Sequence, residues 1–359
     1  MLKDKVKKTI EDNNLINDGD CIVIGLSGGA DSVCLTHILW CLKEELNISL
    51  IAVHLNHNIR GEEAKRDELF AKDFAKKLDI RFIKGSARVC DFAKERGISE
   101  EMAGRELRYS FFDDVKSALK CQKIATAHNH NDNAETIAMN FMRGTSLSGL
   151  SGIPYKRGDI IRPILDVTRS EIEEYCKENG LLYVVDSTNN GDDYTRNKIR
   201  HRLIPMIEKE YNPNFVNTVS QNAQLIKCEA DYISQCTKRE YERLVKNNSV
   251  KITELLKCHK AIQRRIIRKM MSNIMDMQGV QSYFTDKVIE LAVKNRSGSM
   301  INLPYGRRAR IEYDYLVIDN DVKNNDYEYE IPLGESVFIK EAGITVIAEK
   351  TDKICKGVE

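Results

Sequence analysis

The chain has 359 residues, with 55 Lys and Arg against 54 Asp and Glu. This length predicts about two domains, each large enough to bury a core. The formal net charge of +1 excludes a strongly basic molecule, so any contact with nucleic acid must come from local patches. No apolar run approaches the roughly 18 residues that cross a bilayer, and the N-terminus lacks an apolar signal core. We therefore expect a cytoplasmic protein without a membrane partner.

The 10 cysteines are scattered, and no two of them have the Cys-x-x-Cys spacing of zinc ribbons and iron–sulfur proteins. Such scattered cysteines are typical of reduced, buried thiols in a cytosolic protein.

The first predicted strand leads into a short glycine loop. A charged amphipathic helix over Leu2–Leu15 precedes an apolar run, Cys21–Leu26, that predicts a buried parallel strand. The next six residues, Ser27–Ser32, read Ser-Gly-Gly-Ala-Asp-Ser, and a helical pattern starts at Val33. Unpaired backbone N–H groups and the positive end of a helix dipole meet at such a turn. The segment therefore predicts an anion site.

The residue types of this loop suit a phosphorylated ligand. Gly28 and Gly29 let the backbone approach a phosphate without an intervening side chain. Ser27 and Ser32 add hydroxyl donors, and Asp31 can hold a divalent metal beside the phosphates. The loop lacks the Gly-Lys-Ser/Thr ending of the Walker loop, so it belongs to a different class of nucleotide site.

A second buried strand, Ile48–Leu55, runs into the polar sequence His54–Gly61. Ligands collect at the carboxyl ends of strands in an open parallel sheet, so we expect this sequence beside the first loop. His54 and His57 are three residues apart, which suits either a metal site or, as we favour, a polar rim that positions substrate.

A predicted helix over Glu62–Leu78 and a third strand over Arg81–Lys84 continue the βαβ alternation of a parallel α/β sheet. The long helix that follows, Glu100–Lys120, carries Arg105 and Arg108 on one face. Two guanidinium groups on one face suit phosphate or carboxylate binding. A solvated charged face is the alternative interpretation.

The fourth predicted strand, Lys123–Ala127, ends in a polar sequence that opens a helix. Asp132 and Glu135 lie three residues apart at this helix start, and Arg143 lies near its end. Two such carboxylates can bind a metal ion or the ammonium group of an amine substrate. Alternatively, they form an acidic first turn that complements the helix dipole.

Three parts of the chain are predicted. An α/β domain with an open parallel sheet covers residues 1–205, a mainly α-helical domain with almost no strand signal covers 206–325, and an incomplete β segment covers 326–359. Two basic clusters in the helical part fit contact with a phosphate backbone, although such clusters are also common on solvated helices. The clusters are Arg264, Arg265, Arg268 and Lys269, and Arg307, Arg308 and Arg310.

The loop Ser27–Ser32 resembles the Ser-Gly-Gly-x-Asp-Ser signature of the PP-loop ATP pyrophosphatases. With four further segments in the same order, roughly the first two-thirds of the chain resembles the tRNA(Ile)-lysidine synthetases. Those segments are His54–Arg60, Arg105–Phe112, Ala127–Thr136 with Arg143-Gly144, and Arg196–Arg200. Two positions depart from the family pattern, because Ala127 replaces a glycine and Asn131 replaces the first of two aspartates. The second aspartate is retained as Asp132.

The resemblance implies a ligase that joins free L-lysine to C2 of the wobble cytidine of tRNA(Ile) with a CAU anticodon, through an adenylated cytidine. It implies ATP and Mg²⁺ as cofactors and AMP and pyrophosphate as products. The implied ATP-binding residues are Ser27, Gly28, Gly29, Ala30, Asp31, Ser32 and His57, with Asp31 also the metal ligand. The implied catalytic residues are Asp31, Arg108, Asp132 and Glu135. The implied substrate- and tRNA-binding residues are Arg105, Arg143, Arg196 and Arg200, and the helical part over 206–325 is implied to be a tRNA-binding domain.

Two alternatives remain at this point. Another PP-loop enzyme of tRNA, such as a thiolase, would be expected to carry Cys-x-x-Cys ligands. A non-catalytic, nucleotide-dependent RNA-binding module would release no pyrophosphate. The sequence leaves a homodimer open.

Overall fold

The computed structural model describes residues 1–57, 61–184, 195–274, 282–320, 329–339 and 344–350. The sequence predictions for Asn58–Arg60, Asp186–Asn189 and Tyr194 therefore lie outside the described residues. The chain divides into two compact units, Met1–Tyr232 and Ile233–Glu359. Within the described ranges, no helix is long and apolar enough to cross a membrane.

The first unit alternates strands and helices. Its first half consists of α1 (Leu2–Asp12), β1 (Cys21–Gly25), α2 (Ala30–Leu42), β2 (Ser49–Asn56), α3 (Glu62–Lys77), β3 (Arg81–Ser86), α4 (Val89–Arg96) and α5 (Glu100–Ala118). There follow β4 (Lys123–Ala125), α6 (His130–Met142), α7 (Leu147–Leu150), β5 (Lys156–Arg157), β6 (Ile160–Ile161), α8 (Arg169–Glu178), α9 (Thr195–Lys198), a π-helical turn (Ile199–Leu203), α10 (Ile204–Glu210) and α11 (Phe215–Leu244).

The six strands of this unit form one sheet in the order β3-β2-β1-β4-β6-β5. All neighbours are parallel except β5 and β6. The chain moves outward from β1 to β2 and β3 on one side, and returns to β4 on the other side. The carboxyl end of β1 is thus a topological switch point, which is where open α/β sheets bind ligands. The predicted open parallel sheet is confirmed.

The sheet is buried on both faces, which explains why its strands read as continuous apolar runs. Ile22 and Ile24 of β1 belong to a buried cluster that includes residues of α1, α2 and α8. Val23, between them, faces the opposite side and packs in a cluster with Phe112 of α5. Burial on both faces fixes the register of β1, and therefore the position of the loop that follows it.

The second unit combines helices with short antiparallel strands. Besides the end of α11 it contains β7 (Val245–Lys246), β8 (Ser249–Lys251), α12 (Ile252–Lys257), α13 (Lys260–Ser272), α14 (Ser282–Lys294), β9 (Met300–Leu303), a 3₁₀ turn (Pro304–Gly306), β10 (Arg307–Glu312), β11 (Tyr315–Asn320), β12 (Ser336–Ile339) and β13 (Ile344–Ile347). One sheet has the order β7-β8-β11-β10-β9, and β12 pairs with β13.

The strands between residues 245 and 320 lie where the sequence indicated helices almost alone. The reason is visible in β10, where only Ala309 and Ile311 are buried and arginines occupy most other positions. A single small apolar residue and one isoleucine give a weak strand pattern. Their packing with residues of α13 and α14 in a shared core stabilises the strand instead.

Gly25, the last residue of β1, is packed against the ring of Phe112. A Cβ built on Gly25 would lie 2.9 Å from two ring carbons of Phe112, and Phe112 is only 4% exposed. A side chain at position 25 would therefore push α5 away from the sheet next to the loop.

We expect Gly25→Ala to lower the free energy of unfolding by about 1–3 kcal/mol, the usual cost of overpacking a core. Gly25→Ala combined with Phe112→Leu should recover part of this loss. Gly104→Ala in α5 is the control, because its Cβ would meet nothing closer than 3.7 Å. Urea unfolding measures all three variants, and a Gly25→Ala protein as stable as the Gly104→Ala protein would contradict this packing.

Candidate active site

The loop Ser27–Ser32 lies between β1 and α2 at the switch point of the sheet. Gly28 has a φ of 95°, a left-handed conformation that favours glycine. Its N–H donates to Ser32 Oγ at 3.1 Å, and Ser32 Oγ donates to the carbonyl of Gly29 at 2.9 Å. The first N–H groups of α2 have no partner within the helix. The folded loop thus presents backbone donors and hydroxyls where an anion can bind.

Asp31, in the first turn of α2, is paired with an arginine that the sequence analysis did not select. Asp31 Oδ1 accepts a hydrogen bond from Arg169 Nη1 at 2.8 Å. Burial raises the pKa of the Asp31 carboxyl, and although Arg169 opposes this shift, the nearby charge of Asp132 adds to it. The negative charge of Asp31 is therefore incompletely compensated by the residues around it.

This environment fits the predicted magnesium ligand. Mg²⁺ is usually bound by one or two carboxylates together with substrate phosphates, and Asp31 supplies one carboxylate that a cation would stabilise. Among the described residues, no three His, Cys, Asp or Glu side chains converge on a metal site. A magnesium ion here would accordingly need the oxygens of a phosphate ligand as well.

Asp132 and Glu135 of α6 form a four-charge network with Arg196 of α9 and Arg200 of the π-helical turn. Asp132 Oδ1 accepts from both Arg196 Nη2 and Arg200 Nη2, each at 2.9 Å. Glu135 accepts from Arg196 Nε at 2.8 Å and from Arg200 Nε at 2.6 Å. The structure thus brings together two predicted catalytic carboxylates and two predicted tRNA-binding arginines, as partners of one another.

Burial makes this network strong. The Glu135 side chain is 2% exposed and the Asp132 side chain 13%. Burial alone would lower the pKa of Arg196, but the charges of Asp132 and Glu135 outweigh it and raise that pKa. The pKa of Arg200 is raised for the same reason. Both arginines therefore stay charged, and the network as a whole is neutral.

Two asparagines connect this network with the ATP loop. Asn129 is 3% exposed and forms a capping box with Asp132, with both hydrogen bonds at 3.0 Å. Its side chain also opposes the rise in the pKa of the Asp31 carboxyl. Asn131, which replaces a family aspartate, accepts from the backbone N–H of Arg169 at 3.0 Å. The Asn129-x-x-Asp132 spacing is a capping signature, so the sequence contained a signal for the role of Asn129.

His57, directly after β2, lies beside Arg108 of α5. Arg108 Nη2 is 3.2 Å from His57 Nε2, and the Arg105 guanidinium lies over the ring of Tyr109 at 5.3 Å. Arg105, Arg108 and Arg143 are exposed, and none of them pairs with an acidic side chain in the part of the chain that the structure describes. These arginines keep positive charge that an anionic ligand can neutralise.

His54 and His128 have different environments. His54 is 8% exposed, and its Nδ1 lies 2.9 Å from the carbonyl oxygen of Leu26, so it supports the start of the loop. Burial lowers the pKa of His128 to about 4, and the charge of Arg162 contributes to this shift. His128 is therefore neutral at physiological pH.

The basic clusters of the second unit are largely paired. Arg264 bonds Asp286, while Arg308 and Arg310 both bond Asp319. Arg307 Nε donates to the backbone carbonyl of Ile274 at 2.7 Å. These contacts reduce the charge available for a phosphate backbone, and the predicted RNA contact of these clusters stays a prediction.

Comparison with known proteins agrees with this architecture. Residues 1–207 match the family model described as the PP-loop domain, so fold and loop together define a PP-loop, ATP-using enzyme. The chain is 42% identical to the tRNA(Ile)-lysidine synthase of Clostridium acetobutylicum over 318 residues, which covers 87% of this chain and 68% of that protein. It is 37% identical to the tRNA(Ile)-lysidine synthase of Clostridium tetani, with 99% and 78% coverage. The chain belongs to the tRNA(Ile)-lysidine synthase family of ligases, as its sequence motifs predicted.

A solved structure supports the fold alone. The U34-tRNA thiolase NcsA from Methanococcus maripaludis superposes with a TM-score of 0.53 at 20% identity, covering 63% of this chain and 78% of that one.

Replacing Glu135 by Gln should lower the free energy of unfolding by about 2–3 kcal/mol, because two arginines would lose half of their compensating charge. The expected loss is below the full cost of breaking a buried pair, since Arg200 is 36% exposed. Urea unfolding measures this change. The control is Glu62→Gln, whose side chain is 88% exposed although it pairs with Lys65. Equal stability of the two variants would show that the network contributes nothing to folding.

Proposed function

We propose that the protein ligates free L-lysine to C2 of the wobble cytidine of tRNA(Ile) with a CAU anticodon, using ATP and forming AMP and pyrophosphate. Membership of the tRNA(Ile)-lysidine synthase family supports the overall reaction. The observation that carries the proposal is the link formed by Arg169. It hydrogen-bonds Asp31 of the ATP loop and, through its backbone N–H, Asn131, the neighbour of Asp132 in α6. The groups for activation and for amine transfer therefore lie in one site.

In the first step, O2 of the cytidine attacks the α-phosphorus of ATP. An O–P bond forms, the bond to the β-phosphate bridging oxygen breaks, and pyrophosphate leaves with the electron pair. The backbone N–H groups of Ser27–Ser32 stabilise the charge on the phosphates. Asp31 would hold the Mg²⁺ ion, which when bound neutralises phosphate charge. Adenylation converts a poor leaving oxygen at C2 into a good leaving group.

In the second step, the ammonium group of lysine releases a proton to solvent, and the resulting amine attacks C2. A C–N bond forms, the C2–O2 bond breaks, and AMP leaves with the former O2 and the electron pair of that bond. Asp132 is the carboxylate best placed to hold the incoming ammonium group. A carboxylate group can accept about four hydrogen bonds. Asp132 accepts three, from Arg196, from Arg200 and from the N–H of Asn129. One acceptor position therefore remains for the ammonium group. Glu135 is too buried for a substrate contact, so it positions the two arginines.

The tRNA must present a base that is unstacked from the anticodon loop, because the site lies at the edge of a sheet. Arg105 and Arg143 are exposed and unpaired by acids within the described ranges, so they suit contacts with the phosphate backbone. Arg108, beside His57, suits a phosphate or the carboxylate of lysine. Arg196 and Arg200 contact the substrate while they remain paired with Asp132 and Glu135.

The proposal is tested by incorporation of labelled lysine into two tRNA transcripts in the presence of ATP and Mg²⁺. The isoleucine transcript with a CAU anticodon should accept lysine with equimolar AMP formation, and the methionine transcript with the same anticodon should not. Asp132→Asn should reduce incorporation about hundredfold, the loss expected for a charge-assisted contact. Asp113→Asn, a 63% exposed residue of α5, is the control. AMP formation without lysine incorporation would overturn the substrate assignment.

A further inference from the structure

Arg169, the first residue of α8, is held beside the ATP loop by three separate contacts. Its backbone N–H donates to Asn131 Oδ1 at 3.0 Å. Its Nη1 donates to Asp31 Oδ1 at 2.8 Å, and its Nε donates to Glu173 Oε1 at 2.7 Å. Backbone and side chain are thus tied to the first turn of α6, to the loop and to the next turn of α8.

These contacts leave donors unused. A guanidinium group carries five N–H bonds in a planar fork, and the two side-chain contacts use one on Nε and one on Nη1. The second N–H of Nη1 and both N–H groups of Nη2 have no partner among the residues that the structure describes. Because Glu173 and Asp31 fix the plane of the fork, the free donors have a fixed direction next to the loop.

The exposure of Arg169 also fits a ligand contact. Its side chain is 42% exposed, and that of Asp31 is 30% exposed, so the pair opens to solvent. Planar arginine forks bind phosphates with two parallel hydrogen bonds, and the charge is permanent.

We infer that Arg169 binds the β- and γ-phosphates of ATP and stabilises the pyrophosphate that leaves when the α-phosphorus is attacked. This assignment rests on the proposed use of ATP in the loop, and it adds a catalytic residue to Asp31. As the bond between the α-phosphorus and the bridging oxygen breaks, negative charge moves to the pyrophosphate. A preoriented guanidinium stabilises that charge without reorganisation.

The test compares ATP with AMP, which lacks the two outer phosphates. Isothermal titration measures their binding to the wild-type protein and to Arg169→Gln, first in EDTA and then in Mg²⁺. We expect Arg169→Gln to weaken ATP binding about ten- to hundredfold, as for a lost hydrogen bond to a charged group, and to leave AMP binding unchanged. Lys5→Gln is the matched control, because it removes another ion pair of α8, the 2.7 Å contact with Glu171, away from the loop.

Titrations in an Asp31→Asn protein distinguish a direct contact of Arg169 with the phosphates from an indirect effect through Asp31. If Arg169 contacts the phosphates, Arg169→Gln must still weaken ATP binding in a protein that already carries Asp31→Asn. A loss that disappears in this background, or that is equal for ATP and AMP, would show that Arg169 only holds the loop and would overturn the assignment. These titrations contain no tRNA and no lysine, so they remain decisive if lysine transfer itself fails.

Discussion

The neutral network of Asp132, Glu135, Arg196 and Arg200 is the interaction on which the site depends. Two buried carboxylates on one helix would be unstable without cations, and the two arginines arrive from a segment more than 60 residues later in the chain. The network therefore does two things at once. It fixes the segment 195–203 against α6, and it orients the Asp132 carboxylate at the surface of the site.

The parallel sheet explains why this network meets the ATP loop. β1 and β4 are neighbours with a parallel register, in which Ile24 lies beside Ala125. The loop after β1 and the helix after β4 consequently start at the same edge. Arg169 hydrogen-bonds both Asp31 of the loop and Asn131 of α6, so the positions of Asp31 and of Asp132, the neighbour of Asn131, are coupled. In the proposed reaction, such coupling would keep the adenylated base in place for the amine.

Local features of the site could be predicted from the sequence, whereas its long-range pairings could not. The loop Ser27–Ser32 follows from a buried strand, two glycines and a helix start, all adjacent in the chain. The carboxylates of α6 were found for the same reason. The contact of Arg169 with Asp31 joins residues 138 positions apart, and no spacing rule connects them. The strands between residues 245 and 320 were not predicted, because packing with α13 and α14 stabilises them more than their own hydrophobic pattern does.

We propose that one sheet edge carries base activation and amine transfer in succession. The most direct test supplies ATP labelled at the α-phosphate together with the isoleucine CAU tRNA, and withholds lysine. We expect the label to become attached to the tRNA with release of pyrophosphate, and we expect added unlabelled lysine then to release the label as AMP. Label that appears on lysine instead, or that never attaches to the tRNA, would contradict it.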